Sequence, residues 1–229
     1  MSISGVQLKY SLKLVLNKLE LSEKNGQYII KPIPTADHLE MMDDAPENEH
    51  LTMQIASQIF NIKTAHNALI YFKDGTPAYI TKRFDVKGDG TKYIQEDFAQ
   101  ITNRTKETHG ESYKYDGSYL EIGELIKKFV PASMIAIDHF FKLVLFNYVF
   151  SNGDAHLKNF SLVRNEFGEM GLSPSYDLMS TIIHTPNERD TALELFDKDF
   201  VSSYYATYGY YGRIEFIEFA KRLGIVEVR

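Results

Sequence analysis

Cysteine and tryptophan are both missing from this chain of 229 residues. Without cysteine there is no disulfide framework and no thiolate metal site, which suits a reducing compartment. Positive charge is in deficit, since 25 Lys and Arg against 31 Asp and Glu give a formal net charge of −6. The basic residues are scattered, so bulk electrostatics offer no reason to read a nucleic-acid binder. No apolar run approaches the ~18 residues of a membrane span, and Met1 to Gly5 lacks the regions of a signal peptide. The expectation is a soluble, cytoplasmic protein with no membrane partner. Internal repeats, low-complexity tracts and the phosphate-binding pattern G-x-G-x-x-G are absent as well.

What is present is ordinary globular composition, with 44% apolar and 24% charged residues, enough for one large domain or a two-lobed one. The most informative stretch runs Asn152-Gly153-Asp154-Ala155-His156-Leu157-Lys158-Asn159, followed by Ser175-Tyr176-Asp177-Leu178. Phosphoryl transfer from ATP needs one carboxylate to orient the attacking hydroxyl, and an amide oxygen plus a second carboxylate to hold Mg²⁺ on the phosphates. Protein kinases supply these groups from D-x-x-x-x-N and D-F-G. Asp154 and Asn159 reproduce the first spacing, and Asp177 follows 18 residues later in a Tyr-Asp-Leu setting that departs from D-F-G.

Along the chain, residues 6–16 alternate as a strand, Asn25-Gly26 signals a turn, and 27–31 read as the returning strand, stopped by Pro32. An acidic loop over 35–46 leads to a helix from Glu47, with Leu51, Ile55 and Ile59 on one face. Strands over 67–72 and 77–83 flank Lys73-Asp74-Gly75. Beyond the Gly-rich stretch 87–91 the pattern turns helical: 94–101, 120–129, a strongly apolar 132–150, then 199–209 and 213–223, with short strands over 160–164 and 170–173. Strands first and helices later predict an α+β, two-lobed fold, with a small β-rich lobe over 1–86 and a larger helical lobe over 87–229. The face Phe140, Phe141, Leu145, Phe146, Val149 and Phe150 reads as core.

Several residues fit the chemistry of ATP. A lysine that reaches phosphates commonly closes a small-lobe strand and pairs with a helix glutamate, which Lys31 and Glu49 match in context. The bland reading is a solvated strand-end lysine and a first-turn acid. The segment Ser2–Gln7, with Gly5, could offer backbone N–H groups and hydroxyls to phosphate, or be only a loose terminus. Arg83-Phe84-Asp85 ends the last strand where a lobe connection would meet adenine, and Asp97 reads either as part of the site or as a first-turn acid. His156 has no second histidine at helical spacing, so a zinc site is disfavoured; its role is to hold the loop or touch nucleotide.

The ordered set Ser-Ile-Ser-Gly-Val-Gln, Tyr-Ile-Ile-Lys-Pro, Glu-Asn-Glu, Lys-Arg-Phe-Asp, Gln-Glu-Asp-Phe-Ala-Gln, Asn-Gly-Asp-Ala-His-Leu-Lys-Asn-Phe-Ser and Leu-Ser-Pro-Ser-Tyr-Asp-Leu resembles the HipA-like serine/threonine kinases of bacterial toxin–antitoxin systems, from residue 2 to about residue 180. The resemblance implies a protein-kinase-like fold and ATP–Mg²⁺-dependent phosphorylation of a protein Ser or Thr. It maps the catalytic base to Asp154, the Mg²⁺ ligands to Asn159 and Asp177, and the phosphate-binding lysine to Lys31. It also makes Lys82, Phe84, Asp85 and His156 candidates for the nucleotide site. Ser2 stands where the family autophosphorylates its phosphate loop, and Ser4 marks the branch with two loop serines.

By the same resemblance the substrate is an aminoacyl-tRNA synthetase and the partner an antitoxin protein, through which alone DNA would be contacted. Starting at the phosphate loop and ending at Arg229, the chain resembles a short, stand-alone HipT-type kinase subunit, or a truncated form. Two other readings stay open: an inactive pseudokinase acting as a binding module, and a small-molecule kinase. The latter class usually places His before Asp, whereas here His156 follows Asp154.

Overall fold

A computed structural model describes residues 7–24, 26–36, 38–197 and 200–225. Ser2, Ser4, Gly5, Asn25 and the start of the expected 199–209 helix lie outside the described residues. The chain forms two compact units. The first comprises residues up to Ile94 with Phe150–Asp154 and Pro174–Arg189; the second comprises Gln95–Val149, Ala155–Ser173 and the remainder from Asp190.

The first unit is built on a five-stranded antiparallel sheet of order β2-β1-β3-β5-β4, from β1 (Tyr10–Val15), β2 (Lys18–Leu21), β3 (Tyr28–Pro32), β4 (Asn67–Tyr71) and β5 (Pro77–Lys82). The sequence suggests a single strand over 6–16, with the next turn signal at Asn25-Gly26. Instead the chain turns at Leu16-Asn17, both with positive φ (47° and 63°), and Val15 pairs with Lys18. Two consecutive left-handed residues give the tight turn whose twist matches a hairpin. Asn tolerates that conformation, but Leu16 carries no such signal. The β2 strand also sits fully exposed at the sheet edge, so its composition announces little.

Helix α1 (Ala45–Gln58) packs against β4 and β5, with Pro46 in its first turn. Its buried residues are Ala45, Pro46, Glu49, Thr52, Met53 and Ala56, whereas Leu51 and Ile59 are exposed. The expected Leu51–Ile55–Ile59 face is therefore wrong, and the reason is chemical. The inner face must present a carboxylate to a buried lysine, so polar and small residues occupy it and hydrophobic periodicity points elsewhere. Across β3 and β5, Lys31 lies opposite Tyr79 while Ile30 lies opposite Ile80. Strand alternation sends Lys31 and Tyr79 to the α1 side, and Ile30 and Ile80 to a cluster with Leu12 and Ala78 on the other face.

The second unit carries α2 (Phe98–Ile101), α3 (Lys106–His109), α4 (Tyr119–Phe129), α5 (Ser133–Val149), α6 (Ser203–Tyr208) and α7 (Arg213–Arg222). Its three-stranded antiparallel sheet is β6 (Gln95–Asp97), β7 (Ser161–Arg164) and β8 (Met170–Leu172), in that order. The expected 94–101 helix is half strand, because Gln95–Asp97 pair with β7 before the chain turns into α2. Asp97 takes the bland role. Its side chain accepts from the N–H of Gln100, whose own side chain accepts from the N–H of Asp97.

The second unit's core is a run of edge-to-face rings: Tyr119 on Phe160, Phe160 on Phe140, Phe140 on Phe219 and Phe219 on Phe196. Phe140 and Phe146 are buried as expected, but Val149 is 64% exposed and leaves that face at the helix end. A Cβ at Gly123 would fall 2.2 Å from Leu223 Cδ2, so residue 123 of α4 must be glycine for Leu223 to seat there. No helix among the described residues is long and apolar enough to cross a membrane.

Candidate active site

In the first unit, Lys31 is turned inward by β3 and Glu49 by the first turns of α1. Lys31 Nζ lies 2.6 Å from Glu49 Oε1 and 2.5 Å from Asp177 Oδ1, with side-chain exposures of 4%, 1% and 27% in that order. The ammonium also stands 5.3 Å from the centroid of Tyr79. Burial is the largest influence on Lys31 and opposes its charge. Asp177 and Glu49 together overcome it and hold the ammonium above its usual pKa range.

One cation serves two carboxylates here. Burial pushes Glu49 up; Lys31 pulls it down, and Asp177 adds to the upward push. Glu49 Oε2 is buried with no hydrogen-bond partner among the described residues. A second cation, Lys9, reaches Asp177 from outside, 3.7 Å from Oδ2.

Local geometry fixes the approach of Asp177. Its φ is +56°, in the left-handed region that few non-glycine residues adopt and that Asp tolerates better than most. The side chain of Asn48, one residue before Glu49, donates to the carbonyl of Ser180 (3.0 Å) and accepts from its N–H (3.1 Å). This staples α1 to the segment that follows Asp177. His184 supports Asn48 at 2.9 Å, with its other ring nitrogen 2.9 Å from the carbonyl of Glu40.

The loop bearing Asp154 is held on the same segment. Asn152 Nδ2 donates to the carbonyl of Asp177 (3.4 Å), the N–H of Gly153 donates to Thr181 Oγ1 (2.8 Å), and the N–H of Thr181 donates to the carbonyl of Ser151 (3.0 Å). A Cβ on Gly153 would sit 2.3 Å from the carbonyl oxygen of Arg189, so only glycine lets residues 188–189 close on this loop. Asp154 itself is 7% exposed. Within the first unit the structure thus gathers Lys31, Glu49 and Asp177, and ties the Asp154 loop to Asp177.

The remaining candidates fall differently. Phe84 packs against Tyr176, 5.6 Å between centroids. Asp85 is taken up by Arg83, with contacts of 2.9 and 2.5 Å. Lys82 is exposed, and its register opposite Tyr28 puts it on the sheet face away from Lys31.

In the second unit, residues 157–159 form one 3-10 turn that His156 caps. The N–H of His156 donates to Asn159 Oδ1 (3.0 Å), and the N–H of Asn159 returns to the carbonyl of His156 (2.9 Å). Three tyrosines surround this turn: Tyr119 OH donates to the carbonyl of Ala155 (2.9 Å), Tyr115 packs edge-on to the His156 ring (5.3 Å), and Tyr113 OH meets Lys158 Nζ (3.4 Å). Neither Asn48 nor these tyrosines stands out in the sequence. Asn48 belongs to the Glu-Asn-Glu motif, which gives it a place but no role; the tyrosines carry no spacing signal.

The donor chemistry suits Mg²⁺. Among the described residues no cluster of three or more His, Cys, Asp or Glu could cage a metal ion. The carboxylate oxygens of Asp177 in the first unit and the amide oxygen of Asn159 in the second are each hard donors, the type that Mg²⁺ accepts.

One unit carries an antiparallel sheet, one helix and the Lys31–Glu49–Asp177 charge set, and the other is mainly helical; these are the elements of a protein-kinase-like α+β fold. The profile of the HipA-like C-terminal domain family matches residues 1–228, and the chain belongs to that family. It is 31% identical over 208 residues to "Putative kinase Y4dM" of Sinorhizobium fredii strain NGR234, covering 84% of this chain and 48% of that protein. Among solved structures it superposes on a chain of the Shewanella oneidensis MR-1 toxin–antitoxin complex of HipA, HipB and operator DNA, with TM-score 0.67, 23% identity, and coverage of 97% of this chain and 55% of that one. It also resembles the Helicobacter pylori proinflammatory kinase CtkA, with TM-score 0.59, 18% identity, and coverage of 93% and 79%. The chain spans about half the length of the first two.

Proposed function

We propose that this chain is an ATP-dependent protein serine/threonine kinase, the toxin component of a HipA-like toxin–antitoxin system. The observation that carries the reading is the contact of the buried Lys31 with both Glu49 and the part-exposed Asp177. Burying Lys31 and Glu49 brings little net stability over an apolar pair, which points to function as the reason they are kept. A lysine kept charged between a helix glutamate and a metal-seeking aspartate is the arrangement phosphoryl transfer uses. Family membership and the kinase names of its relatives support the same reading.

In the reaction, the acceptor hydroxyl oxygen forms a bond to the γ-phosphorus of ATP, the bond to the bridging β–γ oxygen breaks, and ADP leaves. Asp154 orients the hydroxyl and receives its proton. Lys31 offsets phosphate charge, with Glu49 fixing its ammonium. Asp177 and Asn159 would hold Mg²⁺, which when bound neutralises charge on the phosphates. Phe84, Asp85 and His156 are assigned to the nucleotide surround, with Lys82 a weaker member because of its sheet face. The substrate we assign is a translation protein of the aminoacyl-tRNA synthetase class. The partner is an antitoxin, and Ser2 or Ser4 is the autophosphorylated residue.

Mass spectrometry of the purified protein, wild type against Asp154→Gln, tests this reading. Phosphate on Ser2 or Ser4 in the wild type alone is the expected result. ATP-dependent thermal stabilisation with no phosphate transferred, to itself or to lysate proteins, would overturn it in favour of a pseudokinase.

A further inference from the structure

His184 has no part in the reading above, yet it is buried and both its ring nitrogens are engaged. Nδ1 lies 2.9 Å from the carbonyl of Glu40, which can only accept, so Nδ1 carries the hydrogen. The same two residues are joined a second time, with the N–H of Glu40 donating to the carbonyl of His184 (3.0 Å). The other nitrogen, Nε2, lies 2.9 Å from Asn48 Nδ2.

Asn48 settles which way that contact runs. Its Oδ1 accepts from the N–H of Ser180 (3.1 Å), and its Nδ2 donates to the carbonyl of Ser180 (3.0 Å). A flipped amide would set oxygen against oxygen and N–H against N–H, so the orientation is fixed. Nδ2 therefore donates to His184 Nε2, which must be bare, and the imidazole is held in its neutral Nδ1–H form. Both amide hydrogens of Asn48 are then placed, and Oδ1 accepts a second time from Thr52 Oγ1 (3.2 Å). The amide has no hydrogen-bonding capacity left over.

The elements that this amide joins carry the charge set. Asn48 immediately precedes Glu49 on α1, and Ser180 follows Asp177 by three residues. Lys31 Nζ contacts one oxygen on each side, 2.6 Å to Glu49 and 2.5 Å to Asp177. Apolar packing also holds the two elements together, since Met179 clusters with Ala45, Ala36 and Leu39. Such packing is non-directional, so it sets proximity and not the way Asp177 points. Asp177 is itself 27% exposed, so burial does not locate it either. Hydrogen bonds to both backbone groups of one residue do fix a register.

We infer that Asn48 and His184 are positioning residues for phosphoryl transfer: neutral His184 orients the Asn48 amide, and the amide sets the approach of Asp177 to Lys31. Their role rests on the kinase reading proposed above. It requires of residue 184 a bare acceptor toward Asn48, which bulk alone does not supply. Glutamine can place an amide oxygen where Nε2 stands, whereas leucine fills the space and accepts nothing.

In the full-length protein labelled with ¹⁵N-histidine, long-range ring correlations separate a protonated nitrogen from a bare one. His184→Gln identifies the signal of His184 among the seven histidines. A hydrogen on Nδ1 alone is expected at neutral pH, and a hydrogen on Nε2 overturns the inference. The second readout is incorporation of γ-labelled phosphate from ATP and Mg²⁺ into the protein itself, followed against ATP concentration. In His184→Leu the rate at saturating ATP should fall by about tenfold or more, the scale of a misplaced catalytic group. The half-saturating ATP concentration should move by less than about twofold, because Lys31 and Glu49 stay paired. His184→Gln should recover most of the rate. Leu12→Ala, which thins the apolar cluster on the far face of the sheet, should lower the melting temperature and leave the rate as in wild type.

A wild-type rate in His184→Leu overturns the inference, and so does a His184→Gln variant as slow as His184→Leu. Equal slowing in Leu12→Ala also overturns it, by reducing the effect to general loosening. Absence of incorporation by the wild type is a different failure, which removes the kinase reading and this role with it, whatever the ring spectrum shows.

Discussion

The two units solve burial in opposite ways. The first places Lys31, Glu49, Asp85 and Asp154 below the surface and matches Lys31 to Glu49 over 18 residues of sequence and to Asp177 over 146. The second fills its interior with Tyr119, Phe140, Phe160 and Phe219, each less than 3% exposed. Where the second unit does bury a carboxylate, Glu215, the partners are the hydroxyl of Ser202 and the N–H of Gly212, so that carboxylate caps the start of α7 and meets no cation among the described residues. Rings packed on rings gain from area and dispersion alone, whereas buried charges gain little net stability over an apolar replacement. The contrast separates a unit shaped by chemistry from one shaped by packing.

The sharpest break in that comparison comes from removing the chemistry without the fold. Asp154→Gln and Asp177→Gln should each lower transfer of labelled phosphate by about a thousandfold or more, while the melting temperature stays within about 3 °C of wild type. Near-normal transfer by a folded variant would mean that the first unit's charges are structural.

The packing side is tested next by Phe140→Ala. It should cost about 3–5 kcal/mol, because a fully buried ring that meets two others leaves a cavity. Urea denaturation gives the size, and hydrogen exchange should rise in α4, α5 and α7 rather than in β1–β5. A loss under 1 kcal/mol would show that the ring core is not what holds the second unit.

Lys31→Met is the matching cut in the first unit and should be smaller than the figure for stranding a charge, because Glu49 can take up a proton. Its cost should be about 2–3 kcal/mol at neutral pH and should depend on pH in a fixed direction. Glu49 already tends upward from burial, and loss of Lys31 removes the influence that pulls it down. A carboxyl whose pKa is higher folded than unfolded binds more protons in the folded state. Its favourable contribution is therefore complete below the unfolded value, near 4.5, and is lost as pH rises through the folded value. Lys31→Met should thus approach wild-type stability near pH 5 and fall away from it toward pH 8, measured by thermal denaturation across that range. The double variant Lys31→Met with Glu49→Leu should remove the pH dependence. A deficit that does not change with pH would mean Glu49 does not carry it.

These experiments probe features that differ in how legible they are in the sequence. Lys31, Glu49, Asp154, Asn159 and Asp177 stand out because their residue types and order match what the proposed reaction, phosphoryl transfer, asks of a site. The contact of Lys31 with Asp177, across 146 residues of sequence, is not among the sequence expectations, which pair Lys31 with Glu49. The helical unit was legible as apolar periodicity, since ring cores need continuous apolar faces. The inner face of α1 was not, because a helix that serves a buried ammonium carries Glu49 and Thr52 inside and leaves Leu51 outside. The β1–β2 hairpin escaped for a related reason: its strand is exposed and its turn places a leucine where glycine or asparagine would be the usual sign. Asn48, which bonds both backbone groups of Ser180, was visible only as one letter of a motif.

The finest test concerns a contact that belongs to both themes. Tyr119 is 1% exposed and packs on Phe160 as part of the ring core, yet its hydroxyl donates to the carbonyl of Ala155, the residue after Asp154. Tyr119→Phe keeps the ring and deletes only the donor, leaving a buried carbonyl unsatisfied at a cost of about 1–2 kcal/mol. Because the ring contacts survive, the global loss should be much smaller than for Phe140→Ala. Amide exchange should quicken over residues 155–159 and remain unchanged in α5. If that turn is positioned for phosphate transfer by the tyrosine, the turnover rate should fall several-fold while ATP affinity holds, since Lys31 and its partners are untouched. A variant with faster exchange throughout the second unit and no separate effect on turnover would assign Tyr119 wholly to packing.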